Sequence, residues 1–236
     1  MSVFVLVHGA WHGGWAWQRV APLLRAAGHE VHFPTLTGVS DRAHLLSPQV
    51  GLTTHVQDVV ALIEAQDLRD VVLVGHSYAG QVVTGVAERV PERLARRVHL
   101  DAFVGDDGEA AIDLLPATTA GHYREAVAGP GFGWLIPVRS LSILGIEEQS
   151  DIDWLTPRLT PHPWLAYTEP LTLTGKADQV PGAFIECTAW MRVFTPHAER
   201  AAARGWPVHK IATGHEAMVT APGELAGLLL DIAKYG

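Results

Sequence analysis

Two hydrophobic rhythms alternate along the chain. Residues 2–7 (SVFVLV) and 70–74 (DVVLV) are near-continuous apolar runs, the pattern of strands buried on both faces. Residues 31–33 and 97–100 are shorter candidates, and Gly182–Cys187 and Val208–Ile211 come later. Between these runs the period lengthens. Residues 17–27 read as a helix that stops at Gly28, and Val56, Val59, Val60 and Ile63 fall at i, i+3, i+4, i+7 behind capping candidates Thr53 and Thr54. Leu225, Leu228, Leu229 and Ile232 repeat that spacing in a last helix starting near Pro222. Strands alternating with helices predict an α/β fold, a mainly parallel sheet covered by helices on both faces.

The alternation breaks between about Gly105 and Asp178, where Gly and Pro are frequent and Trp134, Trp154 and Trp164 punctuate the sequence. The segment is too apolar for a disordered linker. It reads as an insertion, residues 105–178, folding over one edge of a core built from residues 1–104 and 179–236. A length of 236 residues fits one such domain with an insertion.

Composition removes several classes of function. The single Cys, Cys187, cannot form an intramolecular disulfide or a Cys-cluster zinc site, and it reads as a core thiol. The balance of 17 Lys+Arg against 25 Asp+Glu gives −8 without a basic run, which disfavours nucleic acid and anionic membrane as partners. No apolar stretch approaches the ~18 residues of a membrane span, and the N-terminus runs straight into a strand pattern, so the expectation is a soluble cytoplasmic protein. The sequence leaves a homodimer open. Thirteen His and eight Trp are not explained at this level.

Chemistry enters where residues 70–74 run into Gly75-His76-Ser77-Tyr78-Ala79-Gly80 and then a helical stretch, residues 81–90. This is a G-x-S-x-G nucleophile elbow with Ala79 in place of the last Gly, in its strand–turn–helix context. Small residues around Ser77 permit the sharp turn, which lifts the hydroxyl clear of the backbone. An ordinary Gly-rich β–α turn with Ser as a helix cap is the competing reading.

A serine hydroxyl needs a base, and in this architecture the chain order is Ser, then Asp or Glu, then His. Most histidines precede Ser77 or lie in the insertion, in a strand or at a helix start. His215 remains, in a loop after the last strand, and is the expected base. The acid is harder to place. Residues 188–192 (TAWMR), after the penultimate strand, contain no carboxylate. Asp101, at the carboxyl end of the strand containing residues 97–100, is the expected acid, with Asp178, Asp106 and Glu186 as alternatives. The loop His8-Gly9-Ala10-Trp11-His12-Gly13-Gly14 follows the first strand, so the amides of Ala10 and Tyr78 are the expected oxyanion donors. His8 and His12 at i, i+4 lack both a helix and a carboxylate, and no metal is expected there.

Together HGAWHGGWAW (residues 8–17), PTLTG (34–38) with the following Arg42-Ala43-His44-Leu45, DVVLVGHSYAG (70–80), LDAF (100–103) and TGHEAM (213–218) resemble the α/β-hydrolase superfamily. The nearest likeness is to small bacterial esterases of the pyrethroid-hydrolase type, relatives of plant methylesterases and hydroxynitrile lyases. It is dense over residues 2–104 and moderate over 182–236. The resemblance implies a cofactor-independent Ser77–His215–Asp101 esterase with a mostly helical cap closing over an apolar pocket. Plant relatives keep an Asp after the strand matching Gly182–Cys187, whereas this chain shares the bacterial L-D-A-F instead. Plant hydroxynitrile lyases usually carry Thr in the first loop and Lys after the catalytic His; here those regions read Gly9-Ala10 and Glu216-Ala217.

Aromatic residues near these motifs and in the insertion suggest that substrate is held by apolar area. Trp11, Trp134, Trp154, Trp164 and Trp190 are the candidate substrate contacts, each equally readable as cap core. No pair of Lys or Arg is placed to hold phosphate or carboxylate, with Arg42 and Arg139 left open. The expected reaction is hydrolysis of a neutral, lipophilic small-molecule ester, lactone or thioester through an acyl-enzyme. A lyase on the same triad and a binding protein with a degenerate triad are the alternatives.

Overall fold

The computed structural model describes residues 1–234. The strands are β1 (Val3–Val7), β2 (Glu30–His32), β3 (Val71–His76), β4 (Leu94–Leu100), β5 (Leu135–Ile136), β6 (His162–Pro163), β7 (Gly182–Cys187) and β8 (Val208–Ile211). The helices are α1 (Ala21–Ala26), α2 (Leu52–Ala65), α3 (Ala79–Arg89), α4 (Ala117–Ala128), α5 (Gln149–Leu155), α6 (Leu165–Thr168), α7 (Thr195–Ala203), α8 (Ala217–Thr220) and α9 (Pro222–Lys234). Six strands form one sheet in the order β2-β1-β3-β4-β7-β8, every pair parallel.

The near-continuous apolar runs follow from two cores, one on each face of this sheet. Val5, Val7, Leu73 and Phe184 pack with Val59 and Ile63 of α2 and Val82 and Val86 of α3. Their neighbours Phe4, Leu6, Val74 and Ile185 point the other way, onto Leu24 of α1 and Leu225, Leu229 and Ile232 of α9. With a side-chain period of 2, both phases must then be apolar.

Two local expectations shift. The helix expected over residues 17–27 is a 3-10 turn, Gly14–Trp17, followed by the shorter α1, with Pro22 in its first turn. Proline is accepted there because its missing N–H has no helical partner to lose. Gly28 follows α1 at φ +86°, as its stop position required. Thr53 and Thr54 lie inside the first turn of α2 rather than at its cap, which is Gly51. The Thr53 N–H and hydroxyl instead donate to the Glu169 carboxylate at 3.0 and 2.6 Å.

The segment between β4 and β7 adds no strand to the large sheet. It contains α4, α5, α6 and the antiparallel pair β5–β6, and its Tyr123, Ile136 and Tyr167 join the core beneath α2 and α3. No helix among the described residues is long and apolar enough to cross a membrane.

Many of the histidines are structural. Burial pushes His8 and His99 down to about 3 and His197 down to about 4. They stay neutral in the fold but charge near pH 6.5 once unfolded. The unfolded chain therefore binds more protons below pH 6.5, so stability is complete above that value and lost as pH falls toward 4. Each such imidazole contributes a slope of about 1.4 kcal/mol per pH unit. Urea unfolding is expected to show a clearly lower midpoint at pH 5 than at pH 7.5. An unchanged midpoint would contradict the neutral assignment.

Candidate active site

The chain reverses direction between the end of β3 at His76 and the start of α3 at Ala79. Ser77 makes this turn at φ 55°. Its N–H donates to the Leu100 carbonyl (3.1 Å), and its own carbonyl accepts from Gly80 (3.1 Å) and Phe103 (3.2 Å). The elbow is thus fixed by backbone to the end of β4. A Cβ on Gly80 would lie 2.1 Å from the Phe103 oxygen, so this close approach requires glycine. The first loop abuts the same point: a Cβ on Gly9 would stand 3.0 Å from the Ser77 Cβ. Trp11 and Asp101 also sit at positive φ, 67° and 41°. Such conformations cost about 1–3 kcal/mol each in non-glycine residues and gather where function holds them.

Because β3 and β4 are neighbours, Ser77 and Asp101 leave adjacent strand ends. His215 reaches them from the loop after β8, and its N–H donates to the Leu144 carbonyl of the insertion at 3.0 Å. His215 Nδ1 lies 2.7 Å from Asp101 Oδ2, with both side chains buried. Asp101 Oδ1 also accepts from the Cys187 N–H (3.2 Å), and Oδ2 accepts from Trp190 Nε1–H (3.1 Å). Burial raises the Asp101 carboxyl above the ordinary Asp value, while these three donors pull the other way. An ionised Asp101 can only accept, so His215 carries its proton on Nδ1 and leaves Nε2 free as a base.

The imidazole is clamped on its faces. Trp190 and His76 both lie 4.5 Å from its ring centre, and Phe194 stacks at 5.1 Å and 3°. His76 Nε2–H donates to the His215 carbonyl (3.0 Å), and burial followed by the nearby His215 keeps His76 well below the ordinary His value. Beneath the elbow, the Tyr78 hydroxyl donates to His55 Nδ1, and His55 Nε2–H donates to the Thr37 carbonyl, each at 2.9 Å. This buried chain anchors the residue next to Ser77. It could not be read from the sequence, because its members are 18 to 23 residues apart.

The alternative carboxylates are engaged elsewhere. Asp178 is 79% exposed beside Arg97, and Asp106 pairs with Arg200 and Arg204. Glu186 lies inside β7, accepting from Arg192 (2.8 Å) and the Thr195 hydroxyl (2.7 Å). Among the described residues, His76, His215 and Glu216 bring ligand-type atoms within 4.8 Å of one another. One nitrogen of each imidazole is committed, His215 Nδ1 to Asp101 and His76 Nε2 to a carbonyl, which leaves His215 Nε2 and His76 Nδ1.

Ser77 and His215 open into one cavity, lined also by Trp11, Phe103, Tyr123, Tyr167, Trp190 and Phe194. Of the five tryptophans expected at substrate, two line it. Trp134, Trp154 and Trp164 are not among its lining residues. Trp154 stacks edge-on with Trp15 at 5.2 Å and under Arg19, Trp164 packs on the core beneath α2 and α3, and the Trp134 carbonyl accepts from the Trp164 N–H. Phe194, Tyr123 and Tyr167 were missed. Phe194 had a signal, since it lies in the loop after β7 that also carries Trp190.

Loss of the Trp190 donor should loosen the pair it serves. Trp190→Phe keeps the ring against His215 but removes a hydrogen bond to a charged acceptor, which is worth about 1.5 kcal/mol or more. We expect kcat to fall about tenfold with KM changed less. An unaltered kcat would show that Asp101 needs no help from this indole.

A serine on a strand–turn–helix elbow beside a buried Asp–His pair is the arrangement of an α/β-hydrolase. The family model described as "Alpha/beta hydrolase family" matches residues 4–228, and the chain belongs to that family. It is 40% identical to a carbendazim hydrolyzing esterase of Nocardioides sp. (strain SG-4G), across 96% of this chain and 97% of that one. A pyrethroid hydrolase of Sphingobium wenxiniae is 35% identical over a shorter stretch, 44% of this chain and 37% of the relative. Among solved structures, an extracellular α/β-hydrolase from a Paenibacillus species superposes with a TM-score of 0.88 at 24% identity, covering 98% of each chain.

Proposed function

We propose that this α/β hydrolase is a cofactor-independent serine esterase acting on a lipophilic small-molecule ester. The observation that carries the reading is the 2.7 Å bond from His215 Nδ1 to Asp101, at a cavity shared with Ser77. His215 Nε2 takes the hydroxyl proton as Ser77 Oγ attacks the ester carbonyl. The amides of Ala10 and Tyr78 stabilise the resulting oxyanion. The proton passes to the departing alcohol, leaving an acyl-Ser77. Water, deprotonated by the same nitrogen, then releases the acid. Kinship to the carbendazim hydrolyzing esterase supports ester cleavage, and the aromatic lining supports an apolar substrate body. Residues 105–178 act as the cap, supplying Tyr123 and Tyr167 to the cavity.

Turnover of p-nitrophenyl acetate and butyrate, with labelling of the protein by a fluorophosphonate, is the direct test. Absence of turnover, burst and label together would overturn the proposal.

A further inference from the structure

The cavity that holds Ser77 and His215 is lined mainly by aromatic and aliphatic side chains, and Arg139 is its only Lys or Arg. Its guanidinium carbon stands 5.0 Å over the Tyr123 ring. The ring face thereby holds the guanidinium at this wall. A guanidinium has five N–H donors in a rigid fork, and a ring face occupies none of them. Arg19, Arg97, Arg192 and Arg200 each meet a carboxylate. Among the described residues no Asp or Glu forms an ion pair with Arg139. An oriented, half-buried cation with spare donors at an apolar active-site wall is matched by an anionic oxygen pair on the ligand.

We propose that the ester accepted here carries a second, anionic group: a half-ester of a dicarboxylic acid. Its carboxylate meets Arg139 and its ester carbonyl lies at Ser77, with the apolar spacer along the aromatic wall. This inference rests on the esterase reading and replaces the neutral ester expected from the sequence with one that has a charged end. The net charge of −8 repels an anion at long range, but such exposed charges are screened beyond about 8–10 Å in ordinary salt. The preference must therefore arise at contact.

The test is a series of monomethyl esters of α,ω-dicarboxylic acids, from succinate to azelate, set against methyl alkanoates of equal chain length. At pH 7.5 each half-ester is ionised. Wild type is expected to favour the half-ester in kcat/KM by about 10- to 100-fold at one spacer length, the range a bidentate charged pair confers. Arg139→Gln should bring that ratio to about 1, whatever it does to either rate alone, and Arg139→Lys should keep part of it. Hydrolysis of the alkanoates with no preference at any length, or a ratio that survives Arg139→Gln, would overturn this inference and leave the esterase reading standing. No turnover of either series, together with silence on p-nitrophenyl esters, would remove both.

Discussion

Ser77→Ala is expected to lower kcat on a p-nitrophenyl ester by about 10⁶, the scale seen when a hydrolase loses its nucleophile. The substitution deletes one oxygen and leaves the turn intact, because the bonds that fix it run through the backbone of residue 77 to Leu100, Gly80 and Phe103. Alanine at φ 55° is no more strained than the serine it replaces. The melting temperature should therefore hold while fluorophosphonate labelling disappears. What remains is the catalysis that oxyanion donors and binding supply alone, about 10³–10⁴ over water. A variant within tenfold of wild type would mean that another group attacks the ester.

Asp101→Asn should cost about 10⁴ in kcat with a much smaller change in KM. Three donors converge on this carboxylate: the Cys187 N–H, Trp190 Nε1–H and His215 Nδ1–H. An asparagine can keep its oxygen toward Cys187, but its NH₂ then faces the imidazole. His215 must accept on Nδ1 and carry its proton on Nε2, the tautomer that cannot take a proton from Ser77. Asp178→Asn is the matching control, since Asp178 is a largely exposed partner of Arg97. Equal losses in both variants would remove Asp101 from the reaction.

These assignments were legible to different depths. Ser77 came from a local motif, and the structure gives the physical reason for its small neighbours in the Phe103 backbone pressed against Gly80. His215 followed from chain order. Asp101 was inferred from what the loop after β7 lacks, and Trp190 now stands in that loop, donating to the same carboxylate. The centre of the sheet was readable because both its faces are buried, so β1 and β3 are apolar in both phases, whereas β2 and β8 at the edges are not. The insertion was not, since its turns and short helices are set by long-range packing. Whether a tryptophan there meets the cavity or its own neighbours depends on contacts such as that between Trp15 and Trp154, which no local pattern encodes. The Tyr78–His55–Thr37 chain was hidden for the same reason.

Placing the acid at the end of β4 also divides the reacting groups along the chain. Ser77 and Asp101 lie on neighbouring strands and are joined through backbone before the insertion begins, while the base lies 114 residues beyond its acid. During vectorial synthesis Ser77 and Asp101 emerge first, and a serine hydroxyl without its imidazole is a poor nucleophile. On the proposed triad, reactivity arises only when β7 and β8 dock beside β4. On that triad the nascent Ser77 cannot react until then, and its phosphonylation by a fluorophosphonate, with loss of fluoride, would serve as a clock for the closing of the sheet.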